Sequence, residues 1–133
     1  MNIPNRNAGL WQPICAYCLE KYQPMNDDGI ALCGFCRHQR SKILTRLQTM
    51  AGVLHASLVL SIERLSDADS ERYTAYYLAA EQCPADKREA LQRKLQKTIA
   101  AGGAFGDCLA LRLKVEAAQA RYLTIKTLYE AIP

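Results

Sequence analysis

The segment 15–36, CAYCLEKYQPMNDDGIALCGFC, contains four of the chain's six cysteines, arranged as two matched pairs. Cys15 and Cys18 form the first pair, and Cys33 and Cys36 form the second, with two residues inside each pair and fourteen between the pairs. Two such pairs on facing turns supply four thiolates in the tetrahedral arrangement of a closed structural zinc site. We therefore predict that these four cysteines bind one structural Zn²⁺.

The residues between the two pairs predict a short β-hairpin. Residues 19–23 and 30–32 have the composition of two short strands, and residues 24–29, Pro-Met-Asn-Asp-Asp-Gly, have the composition of a turn. A hairpin of this size would bring Cys18 close to Cys33. Helical periodicity starts after Cys36, so we expect the second pair to lie at the beginning of a helix, where amides and the helix dipole stabilise thiolates.

With these motifs, Cys15-Ala16-Tyr17-Cys18 and Cys33-Gly34-Phe35-Cys36, residues 12–45 resemble treble-clef and zinc-ribbon modules with four cysteine ligands. The resemblance covers about a quarter of the chain. It implies a tight turn at Gly34 and a Phe35 side chain packed under the hairpin. Such modules occur in DNA-binding regulators, transcription and translation factors, RNA-binding proteins and protein-interaction adaptors, so the resemblance implies binding to a nucleic acid or to a protein.

A basic cluster follows the second cysteine pair and has two interpretations. It consists of Arg37, Arg40, Lys42 and Arg46. These side chains are candidates for contact with nucleic-acid phosphates or with an acidic partner at the start of a helix. Alternatively, they offset the net charge of −2 that four thiolates and one zinc ion carry. His38 lies within the cluster and is expected to be a solvated helix residue rather than a fifth candidate ligand.

The rest of the chain predicts a bundle of about four helices, so the expected fold is mainly α, with an N-terminal zinc module. Apolar residues at three- and four-residue steps predict four helices. They cover 35–65, from the capping residue Ser66 to about Gln82, 84–100, and from Asp107 to about Ala131. We expect a flexible loop over 101–106 and a helix cap at Asp107. The predicted domains are a zinc-binding module, 1–40, and a helical bundle, 41–133. We expect them to form one compact unit, with the zinc module docked on the first long helix or continuous with it.

The last predicted helix carries a heptad-like apolar seam that is a candidate oligomer contact. Its residues alternate in steps of three and four, and include Leu111, Val115, Ala118, Tyr122, Ile125 and Tyr129. The seam can pack inside the subunit as an antiparallel bundle, or against a second copy of the chain. The sequence leaves both arrangements open.

Three further groups of residues have an ordinary structural interpretation beside a functional one. Asp67, Asp69 and Glu71 suit a helix start better than a divalent-cation site. Cys83 and Cys108 are expected to be small buried apolar residues. Basic residues on the helix over 84–100 are expected to be a solvated face rather than a second site for acidic partners.

Length, charge and composition narrow the classes of function. The chain has 133 residues, 50% hydrophobic and 23% charged, with a formal net charge of +4. The closed four-cysteine shell leaves no open metal position, and no activated nucleophile is evident, so we expect a protein that is not an enzyme. The apolar segment 53–62 is too short to span a membrane, and the first residues do not form a secretory signal, so we expect a cytoplasmic protein without membrane contact.

Two classes of function remain. The first is a small zinc-dependent regulator of the transcription or nucleic-acid machinery, contacting DNA or RNA through the basic start of the first helix. The second is an adaptor or inhibitor that docks on a larger protein without touching nucleic acid. Strong salt dependence of binding would mark the first class, and an exposed apolar patch would mark the second.

Overall fold

The computed structural model describes residues 12–24 and 28–133, and 74% of these residues are helical. The helices are α1 (Gly34–His38), α2 (Arg40–Glu63), α3 (Asp67–Glu81), α4 (Arg88–Ala100) and α5 (Gly103–Glu130), with a 3₁₀ turn at Ala85–Lys87 before α4. The mainly helical fold predicted from the sequence is confirmed, with four long helices after the cysteine-rich segment.

The predicted β-hairpin is not confirmed, since residues 12–24 and 28–133 contain no strand. One isolated antiparallel bridge joins Ile14 to Lys21, on either side of the first cysteine pair. The segment 30–32, predicted as the returning strand, instead forms a tight turn in which Leu32 N–H donates to the Ile30 carbonyl at 2.9 Å. Part of the predicted turn, residues 25–27, lies outside the described residues.

The first predicted helix is divided in two at Gln39. The Gln39 N–H donates to the Cys36 carbonyl at 3.1 Å, which closes α1 with a tighter, 3₁₀-type turn. The same carbonyl accepts a hydrogen bond of 2.6 Å from the Tyr129 hydroxyl. A new helix then begins at Arg40. The periodicity of the sequence did not predict this break because no Gly or Pro marks it.

The predicted loop over 101–106 is wrong, and so is the cap at Asp107. Gly102 and Gly103, with φ of 77° and 87°, complete the turn within two residues, and α5 already begins at Gly103. Such φ values are available to glycine at little cost. Gly106 lies inside α5 where the helix passes close to α4: a Cβ placed there would be 2.9 Å from the Thr98 carbonyl oxygen.

The chain packs as two compact units, and each has its own core. Of the described residues, unit 1 contains 12–24, 28–50 and 119–133, and unit 2 contains 51–118. In the described part of unit 1, the buried core consists of Cys15, Ile30, Leu32, Cys36, Ile43, Leu47, Ile125 and Tyr129. In unit 2 it consists of Leu58, Tyr73, Leu95, Phe105, Cys108, Leu109 and Val115.

The heptad-like seam of the last helix contributes to these cores. Val115 is buried in unit 2, and Ile125 and Tyr129 are buried in unit 1. Leu111, Ala118 and Tyr122 are partly buried. Val115, Ile125 and Tyr129 therefore pack inside the subunit, and contact of the seam with a second copy stays a prediction.

Unit 2 combines an apolar core with stacked arginines. Ser66 caps α3 by accepting a hydrogen bond from the Asp69 N–H at 3.2 Å, as its position in the sequence predicted. The Arg112 guanidinium of α5 lies 3.4 Å from the centre of the Tyr77 ring, and that of Arg72 lies 4.2 Å from the Phe105 ring. Cation–π contacts of this kind join α3 to α5.

The helix α2 is long and apolar enough to cross a membrane by length and composition alone. Its 18-residue apolar window has a mean hydropathy of 1.3, and 22% of it is buried. Core helices of soluble proteins meet the same two criteria. The expected cytoplasmic location and lack of membrane contact stay predictions.

Candidate metal centre and basic surface

The two cysteine pairs meet in unit 1 and form a cluster that can hold one metal ion. The four Sγ atoms all lie within 4.8 Å of one another, and those of Cys18 and Cys33 are 3.9 Å apart. A tetrahedral ion with metal–sulfur distances of about 2.3 Å separates its sulfurs by about 3.8 Å. Cys15 and Cys36 are buried, whereas Cys18 is exposed. The donor set and its spacing therefore fit a single tetrahedral metal ion.

The first pair lies on a tight turn held by backbone hydrogen bonds. The Leu19 N–H donates to the Cys15 carbonyl at 2.9 Å, and the Cys15 N–H donates to the Glu20 carbonyl at 2.9 Å. Leu19 has a φ of 64°, an uncommon conformation for a residue with a side chain. The Ala16 N–H donates to the Ala31 carbonyl at 2.7 Å and so connects this turn to the residues before the second pair.

The second pair repeats this pattern at the start of α1. The Arg37 N–H donates to the Cys33 carbonyl at 3.0 Å, and the Cys36 N–H lies 3.5 Å from the Cys33 sulfur. Gly34 has no positive φ and an open Cβ position, so the turn does not require glycine. The packing expected for Phe35 is wrong: its side chain is 74% exposed, because helical geometry between Cys33 and Cys36 directs it away from the core.

The two buried thiols of the cluster have pKa values shifted in opposite directions. Burial favours a neutral Cys15, but backbone N–H donors around the cluster outweigh it and lower the pKa of this thiol to about 6. Burial, together with the thiols of Cys33 and Cys15, raises the pKa of Cys36. A cation among the four sulfurs would stabilise their ionised form.

Arg37, predicted as a partner-contacting residue, is turned inward. It forms a two-pronged ion pair with Asp28, with N···O distances of 2.8 and 2.9 Å, and both side chains are only 15% exposed. It also donates to the carbonyls of Leu32, at 2.9 Å, and Ile30, at 3.0 Å. The Arg37 guanidinium holds the pKa of Asp28 down at about 2. Arg37 therefore stabilises residues 28–32, which precede the second cysteine pair.

The other three predicted contact residues lie on the outside of α2. Arg40, Lys42 and Arg46 are exposed. The Arg40 guanidinium lies 5.7 Å from the centre of the Tyr129 ring, and Arg46 Nη1 lies 3.3 Å from the Tyr17 hydroxyl. Lys42 and Arg46 are one helical turn apart, with Ser41 and Thr45 beside them.

Sequence reasoning missed Arg121, which α5 brings to the first cysteine pair. Its guanidinium lies 5.0 Å from the centre of the Tyr17 ring, and its Nη2 donates to the Tyr17 carbonyl at 3.1 Å. The two residues are 104 positions apart in the chain. The sequence contains a pattern for the helix that carries Arg121, but none for what that helix packs against.

Neither His38 nor the acidic group at the start of α3 belongs to a metal-binding cluster. Within the described residues, the four cysteines are the one group of histidine, cysteine or acidic side chains with the geometry of a metal site. His38 is exposed. Asp69 pairs with Arg72 at 3.3 Å instead of combining with Asp67 and Glu71.

The two remaining cysteines differ in burial. Cys108 is completely buried in the core of unit 2, as predicted, and burial raises its pKa. Cys83 is half-buried, with its sulfur 3.5 Å from the Pro84 carbonyl oxygen.

Fold and site together define a small, mainly helical protein with a four-cysteine metal-binding cluster in one of its two compact units. Comparisons of the chain with protein-family models, with curated proteins and with solved structures find no match. The interpretation of the site therefore depends on its own geometry and charge.

Proposed function

We propose that this protein is a small zinc-dependent regulator that acts on the transcription or nucleic-acid machinery. In this proposal, unit 1 contacts the phosphate backbone of DNA or RNA through its basic surface. The zinc ion is structural: it holds the two cysteine turns in place beside the beginning of α2. The protein is not an enzyme and works in the cytoplasm.

The chemistry of the donor set supports zinc as the ion. Four thiolates around a tetrahedral centre are typical of structural zinc and of iron–sulfur sites, and zinc adds no redox chemistry. Two features support the assignment to treble-clef modules. The Ile14–Lys21 bridge closes the turn of the first cysteine pair, and the second pair lies at the start of α1. In a reducing compartment the paired cysteines favour the metal over disulfides.

The observation that carries the proposal is the distribution of charge between the two units. The described part of unit 1 contains seven lysines and arginines against three acidic residues, whereas unit 2 contains nine of each. The net positive charge of the chain thus belongs to the unit that holds the metal site. A zinc ion with four thiolates, at −2, offsets only half of this excess. A concentrated excess of basic residues attracts polyanions such as nucleic acids.

Within that unit, Arg40, Lys42 and Arg46 have the exposure that phosphate contact requires. Arg37 does not take part, because Asp28 and two backbone carbonyls already occupy its guanidinium. The proposed contact surface is therefore the first two turns of α2, and Arg37 supports it from α1.

A protein-binding adaptor or inhibitor is the second candidate function. It is favoured by large apolar side chains that α2 exposes in unit 2: Val53 is 60% exposed and Leu60 is 52% exposed. The two residues are seven apart and so share one face of the helix. Exposed apolar residues that share a face are typical of protein-contact surfaces.

The test measures binding of zinc-loaded protein to a fluorescent 20-base-pair DNA duplex and to a single-stranded RNA across a series of salt concentrations. We expect affinity to fall steeply, by roughly tenfold or more between 50 and 200 mM salt, since each phosphate contact releases counterions. Arg40→Ala with Lys42→Ala should weaken binding to both probes. Arg93→Ala with Lys94→Ala removes two exposed charges from unit 2 and is the matched control.

The outcomes separate the two candidates. Equal weakening by both double variants would show that only net charge matters, against a surface on unit 1. A lack of binding to either probe at low salt would overturn the nucleic-acid proposal. A protein partner that Val53→Ser with Leu60→Ser releases would then establish the adaptor.

A further inference from the structure

Tyr17, inside the first cysteine pair, is contacted by two arginines from two different helices. Arg46 of α2 reaches its hydroxyl, with an N···O distance of 3.3 Å. Arg121 of α5 lies 5.0 Å from the ring centre and donates to the Tyr17 carbonyl at 3.1 Å. Two guanidinium groups far apart in the sequence therefore converge on one residue of unit 1.

Among the residues that the structure describes, no carboxylate lies within 4.0 Å of either guanidinium. The ion pairs within 4.0 Å are Arg37–Asp28 in unit 1 and Arg72–Asp69, Arg93–Glu89 and Arg112–Glu116 in unit 2. Neither Arg46 nor Arg121 takes part in any of them. Two positive charges directed at one residue, with no carboxylate beside them, attract an anion to this position.

The surroundings of Tyr17 favour phosphate over a nucleobase as the bound group. The guanidinium of Arg121 lies over the Tyr17 ring, and the Tyr17 hydroxyl faces Arg46. The ring is therefore not open for a base to stack on. Guanidinium groups bind phosphate oxygens through two parallel N–H donors. Both side chains are exposed, so a polyanion can reach them without a change in the fold.

We propose that Arg46 and Arg121, positioned by Tyr17, form a two-arginine clamp for one or two backbone phosphates of a nucleic acid. The inference rests on the proposed function and deepens it, because it adds a residue that the sequence did not indicate. The clamp reads no base, so it contributes affinity independently of sequence. Because Tyr17 lies between two metal ligands, the bound metal fixes the residue that both arginines touch.

The test uses two double variants and the same duplex DNA and RNA probes. One combines Arg46→Ala with Arg121→Ala, and the other combines Arg46→Lys with Arg121→Lys. The alanine double variant should lose on the order of tenfold or more in affinity at low salt, for DNA of any sequence. Its plot of log affinity against log salt should be shallower by about one for each lost phosphate contact. The lysine double variant keeps the charge but should recover only part of the affinity, since lysine lacks the planar fork.

Zinc content and the circular-dichroism spectrum establish that each variant is folded. If the alanine variant does not fold, the lysine variant decides: affinity equal to that of the unaltered protein would overturn the clamp. Tyr17→Phe removes only the hydroxyl contact to Arg46 and should reduce affinity less than Arg46→Ala does.

Three results would overturn the inference in distinguishable ways. If Arg40→Ala with Lys42→Ala weakens binding and the clamp variants do not, the clamp is wrong and the proposed function stands. If the unaltered protein binds no nucleic acid, both fail together. If vesicles of phosphatidylglycerol bind in an arginine-dependent way and the oligonucleotides do not, the phosphates belong to lipid rather than nucleic acid.

Discussion

At the scale of single residues, Arg37 and the four cysteines show what sequence spacing does and does not determine. Metal-ligand spacing is local, so Cys15, Cys18, Cys33 and Cys36 could be identified as a cluster from the sequence alone. The role of Arg37 could not, because its partner Asp28 lies nine residues earlier across an irregular segment. A basic residue after a metal site looks the same in sequence whether it faces solvent or a carboxylate.

Arg37→Ala should loosen unit 1 without removing a phosphate contact. We expect its melting temperature to fall by several degrees, because Asp28 and the carbonyls of Ile30 and Leu32 lose their donor. Affinity for nucleic acid, measured well below that temperature, should stay close to that of the unaltered protein. Arg40→Ala is the control: it should reduce the affinity for nucleic acid and leave the melting temperature nearly unchanged. A large loss of affinity in Arg37→Ala would instead place Arg37 at the interface.

The same ion pair sets a dependence of stability on pH. Because Arg37 lowers the pKa of Asp28 to about 2, the pair stabilises the folded state fully above the ordinary aspartate value near 4. This stabilisation is lost as the pH falls toward 2. The difference in melting temperature between the unaltered protein and Asp28→Asn should therefore shrink as the pH falls from about 4 to about 2. Acid also releases thiolate-bound metal, but this affects both proteins equally.

At the scale of helices, periodicity predicted the number and approximate extent of the long elements, and failed at their junctions. The turn before α5 takes only two residues, because Gly102 and Gly103 both adopt positive φ. Glycine-rich segments have the same composition in a long loop and in a tight turn followed by a helix. The choice depends on what the next helix packs against, and here Gly106 lies against the backbone at Thr98.

Two glycines in helices should respond to alanine in opposite directions. Gly106→Ala should destabilise the protein by about 1–3 kcal/mol, since the new Cβ would lie 2.9 Å from a backbone oxygen of α4. Gly52→Ala in α2 meets nothing within 4 Å and should stabilise by about 0.5–1 kcal/mol through helix propensity. Urea denaturation midpoints measure both, and an unchanged midpoint for Gly106→Ala would contradict the close packing of α4 and α5.

At the scale of the whole molecule, the sequence predicted a metal module and a helical bundle in succession along the chain. The compact units are not divided in that way, because unit 1 also includes residues 119–133. Ile125 and Tyr129 complete the core around Cys15 and Cys36. Periodicity identifies an apolar helix face, but it does not say which distant segment covers that face.

Loss of the metal should affect the two units unequally. Cys33→Ser, or removal of the ion with a chelator, should disrupt the cysteine turns of unit 1 and abolish the proposed nucleic-acid binding. Most of the helical circular-dichroism signal should remain, because unit 2 has its own core. Cys83→Ser is the matched control and should retain the metal, while complete loss of helicity in Cys33→Ser would show that unit 2 does not hold its fold independently.

The division of unit 1 between both ends of the described chain has a consequence for biosynthesis. A ribosome makes all four metal ligands before it reaches unit 2, but it makes Ile125 and Tyr129 only after residue 118. Until then the nascent cysteine turns lack these two core residues, although all of unit 2 has been made by residue 118. A metal ion captured early would hold those turns together until α5 arrives, so metal supply during translation would set the yield of the native protein.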